Sequence, residues 1–93
     1  MNFKLSIISH DGNYQKEEVL FLDKDTYRND KEFKAKVIKY DDEARELTRL
    51  WNAAGATEAF AYVNIELAES GSQKIKLLKE VEIFLENLLD DHS

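Results

Sequence analysis

Thr57-Glu58-Ala59-Phe60-Ala61-Tyr62-Val63-Asn64-Ile65-Glu66-Leu67 decides the fold of this chain. Read by twos, Ala59, Ala61, Val63, Ile65 and Leu67 fall on one side, and Phe60, Tyr62, Asn64 and Glu66 on the other. Alternation of this kind marks a strand with one buried face. The competing reading is a helix, because Glu58, Ala59, Ala61, Glu66 and Ala68 all suit one. The alternation favours the strand.

Downstream, Ser70-Gly71-Ser72-Gln73 reads as a helix start, with Ser70 and Gln73 at capping-box spacing. A helix is expected from about Ser72 to Asp90. Its apolar face is Leu77, Leu78, Val81, Phe84, Leu85 and Leu88. The tail from Asp90 to Ser93 is expected to fray.

Upstream, Phe33, Val37, Tyr40, Ala44, Leu47, Trp51 and Ala54 step by fours and threes, which sets them in one stripe along a helix. Asn29 stands at the N-cap position with Glu32 three residues on, and Gly55 where the helix should stop. Such a helix of about 25 residues is ~37 Å long, more than a small sheet covers along a strand. It should therefore either break near Tyr40-Asp41-Asp42 or project at one end.

Before it, Phe3, Leu5 and Ile7 alternate with Lys4, Ser6 and Ile8, and Val19 and Phe21 with Leu20 and Leu22. The Asp11-Gly12 turn between these two runs makes a β-hairpin. Residues 3–22 resemble the opening of the ATP synthase ε subunit, but the rest of that β-sandwich cannot fit in this chain. The order is ββαβα. The fold class is α+β, a two-layer sandwich of a three-stranded antiparallel sheet and two amphipathic helices, in a single domain over residues 1–93.

Composition narrows the function. The 93 residues are 43% hydrophobic and 34% charged, which is the balance of a globular domain. There is no cysteine, hence no disulfide framework and no thiolate metal site. The N-terminus lacks a basic then apolar leader, so the expected location is the cytoplasm.

Catalytic signatures are missing. His10 falls at a turn and His92 in the tail, with no nucleophile–base pairing in view. Asp23-Lys24-Asp25 begins like a calcium loop, but that spacing requires Gly where Arg28 stands and Glu where Lys34 stands. No glycine-rich phosphate cradle is present. The expectation is a non-enzyme with no metal and no cofactor.

Charge is uneven. Residues 1–40 carry seven acids against eight bases, and residues 41–93 twelve acids against five bases, for a net charge of −6. A polyanion such as DNA, or an anionic membrane, is thereby disfavoured as a direct ligand. Glu82, Glu86 and Asp90 recur every fourth residue beside Glu80 and Asp91, and a second acidic group is Asp41-Asp42-Glu43 with Glu46. The acids crowd a helix C-terminus, where the macrodipole disfavours anions. The plain account of them is solubilising surface. The functional account is a face that docks on a basic partner.

Phe60 and Tyr62, with Leu20 or Ile8, are the aromatic and apolar candidates for an open sheet face; the alternative is that the long helix covers them. Together with Tyr14 and Tyr27, these two aromatics do not all fit the expected core. The candidate partner-binding residues are therefore Glu80, Glu82, Glu86, Asp90, Asp41, Asp42, Phe60 and Tyr62. In size, charge and missing chemistry the chain is similar in character to anti-CRISPR and anti-restriction proteins of phages and mobile elements. That analogy implies an acidic inhibitor of a nuclease or another nucleic-acid-binding protein complex. An immunity protein against a nuclease toxin shares the physics. The alternative is a homodimeric structural or regulatory module.

Overall fold

Strand β1 (Asn2–Ser9) runs between β2 (Tyr14–Phe21) and β3 (Ala61–Leu67) and is antiparallel to both. A single 3-10 turn (Tyr27–Asn29) leads into helix α1 (Lys31–Ala53), and α2 (Ser72–His92) ends the chain. These positions come from a computed structural model that describes residues 1–67 and 72–92. The α+β sandwich and the ββαβα order hold. The capping box read at Ser70 and Gln73 lies outside the described residues.

The disputed segment is a strand, but a shorter one than its alternation suggested. Ala59 N–H closes a turn onto the Ala56 carbonyl at 3.1 Å, so pairing starts only at Ala61. There Ala61 N–H donates to Thr48 Oγ1 at 2.9 Å, tying the strand to α1. At the hairpin, Gly12 takes φ +88°, a conformation natural to glycine and costly for other residues.

Helix α1 is unbroken through Tyr40. Its N-cap is Asp30 rather than Asn29: the Asp30 carboxylate accepts from Phe33 N–H at 3.0 Å, while Asn29 ends the 3-10 turn. Glu32 consequently falls one residue short of the capping-box position. The C-terminus closes as expected. Gly55, at φ +105°, donates to the Asn52 carbonyl, and Ala56 donates to that of Trp51. These two bonds make a Schellman cap. Beyond Leu47 the helix outruns its cover, leaving Leu50 exposed and Trp51 half-buried against the His10 ring at 6.5 Å.

Both helices pack on one side of the sheet, where Phe3, Leu5 and Ile7 of β1 meet Val63, Ile65 and Leu67 of β3. Phe33, Val37, Tyr40 and Ala44 of α1 and Val81 of α2 complete this core. Leu77, Leu78, Phe84, Leu85 and Leu88 line its edge, half-buried. Of the four aromatics that could not all fit the core, Tyr27 is the one that belongs to it. Its ring lies 5.3 Å from that of Phe3 and 5.4 Å from that of Phe84. On β2 the inward positions opposite Leu5 and Ile7 are Glu18 and Lys16. Tyr40 and Lys36 bind Glu18 at 2.8 and 3.0 Å, and Glu43 binds Lys16, so α1 answers that polar edge with matching groups.

The tail is not frayed up to residue 92. Helix α2 continues through His92, whose Nε2 lies 2.8 Å from Asp42 Oδ1. Among the described residues no helix is long and apolar enough to cross a membrane.

Candidate protein-binding face

The side of the sheet away from the helices carries three rows of side chains set by the pairing register. They are Val19–Lys4–Glu66, Glu17–Ser6–Asn64 and Tyr14–Ile8–Tyr62. Phe21 and Phe60 extend it at opposite ends. Exposure is 46% for Tyr14, 65% for Val19, 80% for Phe21, 49% for Phe60 and 44% for Tyr62. The alternation of residues 57–67 put Phe60 and Tyr62 on one side of the strand without deciding whether the long helix covers them, and the structure leaves that side open. Ile8 shares that face, but flanking Tyr14 and Tyr62 bury it. Leu20 does not: it pairs with Phe3 and faces the helices.

Tyr14 organises the middle of the face. Its hydroxyl donates to Glu66, although Tyr14 stands on β2 and Glu66 on β3. The ring must therefore cross β1 between Ile8 and Lys4, over Ser6. This crossing explains why Ser6 is fully buried on a face that no helix covers. Ser6 Oγ has no hydrogen-bond partner among the described residues. The Lys4 ammonium lies 4.4 Å above the Tyr14 ring, 3.2 Å from Glu17 and 3.9 Å from Glu66. Its hydrogen bond to Glu17 raises the lysine above its ordinary value, and the bond to Glu66 raises the Tyr14 phenol likewise.

Phe60 is fixed at the end of this surface. Its carbonyl accepts from His10 N–H at 2.9 Å, and its ring is 5.7 Å from the imidazole. The Phe60 and Tyr62 rings lie 6.1 Å apart with planes tilted by 38°. Trp51, His10, Phe60 and Tyr62 thereby form an unbroken run of rings from the end of α1 onto the open face.

The acidic candidates do not join it. Glu80, Glu82, Glu86 and Asp90 belong to α2, in the layer on the other side of the sheet. Glu82 and Glu86 are exposed, but the solvent side of α2 also carries Ile75, Ile83, Lys76 and Lys79, so it is not a purely acidic stripe. Glu80 lines a groove of about 310 Å³ with Arg28, Lys34, Phe84, Leu88 and Asp91, where both signs of charge meet. Asp41 is withdrawn from any surface role: it is 8% exposed and its Oδ2 lies 2.9 Å from Arg45 Nε.

One grouping escaped the sequence reading. Asp41, Asp42 and His92 bring one potential ligand atom each within 4.8 Å of one another. His92 comes from the far end of α2, and no spacing rule in the chain connects it to Asp41. In the fold these groups already have partners, Arg45 for Asp41 and the Asp42–His92 pair for each other.

No protein-family model, curated protein or solved structure matches the chain.

Proposed function

We propose that this chain is a binding protein that docks on a basic protein partner through the open face of its sheet and thereby modulates that partner. One observation carries the reading. Helices cover a single side of the sheet, and the other side leaves Tyr14, Val19, Phe21, Phe60 and Tyr62 between 44% and 80% exposed. Aromatic side chains with polar tips, set among charged groups, suit a protein interface more than open solvent. The net charge of −6 favours a cationic partner. Glu82 and Glu86, on the far layer, contribute to the long-range field that speeds encounter rather than to contact. Inhibition of a nucleic-acid-binding protein is the form of modulation that this charge favours.

The test compares wild type with Phe60→Ser/Tyr62→Ser and with Glu82→Lys/Glu86→Lys. Each tagged chain is used to capture partners from its host's lysate at low and high salt, followed by mass spectrometry. A basic protein captured by wild type, lost in the sheet-face variant and only weakened in the helix variant supports the reading. Loss in the helix variant alone moves the site to α2. Recovery of nothing but a second copy of the chain favours a homodimeric module instead.

A further inference from the structure

The open face already shows how it holds a cation. Lys4 extends across it, and its ammonium is taken by one ring and two carboxylates: Tyr14 at 4.4 Å, Glu17 at 3.2 Å and Glu66 at 3.9 Å. An ammonium is a compact, strongly hydrated charge and gains most from carboxylates. The adjoining part of the face differs. Phe60 and Tyr62 present two broad rings at 6.1 Å, and the His10 ring lies 5.7 Å from that of Phe60. Asn64 is the next outward side chain on the strand, with Glu66 beyond it.

Resting on the reading that this face docks a basic protein, we propose that Phe60 and Tyr62 seat an arginine guanidinium of that partner. The guanidinium is planar and weakly hydrated, so it stacks on a ring at little desolvation cost. Phe60 and Tyr62 are about half exposed, which leaves the rings open to such a stack. Glu17 and Glu66 outnumber Lys4 among the charged groups of the face, so an incoming cation meets a net negative field. This field acts within the ~8–10 Å range of ordinary ionic strength. Charge complementarity selects a cationic segment, and ring geometry selects arginine over lysine. The chain's own Lys4 takes up the carboxylates that a partner lysine would need.

The experiment is an NMR titration of the full chain with hexa-arginine and with hexa-lysine peptides at low ionic strength, following backbone and aromatic signals. It is repeated on Phe60→Leu/Tyr62→Leu, which keeps the apolar bulk and removes the rings. Because both side chains are about half exposed, the variant should retain its circular dichroism and melting behaviour, and this is checked first. The expected result is that hexa-arginine shifts the signals of Phe60, Tyr62 and His10 and binds more tightly than hexa-lysine. The leucine variant should weaken hexa-arginine by about two- to five-fold. Equal affinities for the two peptides, undiminished binding by the leucine variant, or shifts confined to α2 would each overturn the proposal. If the leucine variant still captures the host partner while the serine variant does not, the arginine seat is refuted and the docking face stands. If both variants capture it undiminished, the docking face falls as well.

Discussion

The two faces of β1 solve the same burial problem by different means. Toward the helices, Phe3, Leu5 and Ile7 are at most 1% exposed, covered by α1 and by Val63, Ile65 and Leu67 beside them. On the opposite face, Ser6 and Ile8 are at 0% and 6%, yet among the described residues no helix lies above them. Their cover is the neighbouring strands' own side chains, with the Tyr14 ring drawn over the strand by Glu66 and Lys4. A closed apolar core can be disrupted only at a cost to the fold. A cover built from half-exposed rings and ion pairs can be rearranged by a partner. The difference separates what this chain uses to fold from what it has available to bind.

The sharpest way to break that contrast is to truncate one residue on each side. Leu5→Ala should cost about 2–5 kcal/mol, because it removes a fully buried side chain and leaves a cavity among rigid neighbours. Chemical denaturation measures it, and a loss below about 1 kcal/mol would mean that the helix layer is not the principal core. Trp51 and Leu85 would be poorer choices, since both are only half-buried.

Tyr40→Phe should cost about 1 kcal/mol by deleting the hydroxyl that binds Glu18 at 2.8 Å. The same contact carries a pH signature. Bonds from Tyr40 and then Lys36 hold the Glu18 carboxyl below its ordinary value of 4.5, so the folded chain binds that proton less readily than the unfolded chain. The stabilisation is therefore full above the unfolded value and disappears as pH falls through the lowered folded one. Melting curves of wild type and Glu18→Gln should differ at neutral pH and converge in acid. A gap that widens in acid would reverse the assignment.

Elements set by local pattern could be read from the sequence. The stripe of α1, the Asp11-Gly12 turn, the cap at Gly55 and the outward position of Phe60 and Tyr62 depend on residues a few positions apart. What depended on long-range pairing could not. Tyr14 reaches Glu66 only because β2 and β3 flank β1 in one particular register. Asp41 looked like surface because it belongs to an acidic run, but the crossing of α1 with the rest of the fold buries it. The spacing of Glu82 and Glu86 was equally plain, yet spacing alone cannot say that these acids and the aromatic pair lie on opposite layers. The N-cap moved from Asn29 to Asp30 because two neighbouring residues were both competent and the 3-10 turn took the first.

Ser6→Ala sharpens the comparison with an effect of opposite sign. The Ser6 hydroxyl is fully buried without a hydrogen-bond partner among the described residues, so its desolvation is uncompensated. Removing it should leave stability unchanged or raise it by up to about 1 kcal/mol. A clear loss would reveal that the hydroxyl is bonded in solution, and that the Tyr14 cover is not the closed lid described above.

The smallest expected effect tests whether the open face is open at all. Val19→Thr and Phe21→Thr replace side chains that are 65% and 80% exposed with one that suits a strand and accepts solvent. Each change should stay within about 0.5 kcal/mol of wild type, because little contact is lost from the folded monomer. The measurement is chemical denaturation at two protein concentrations, paired with sedimentation equilibrium. A loss well above that bound, growing with protein concentration in step with a shift from dimer to monomer, would place a second copy of the chain over these residues. The face would then be a self-interface, and the distinction between a closed folding side and an available binding side would hold for the monomer alone. Concentration-independent stability near that of wild type would leave Val19 and Phe21 free, and the contrast between the two faces intact.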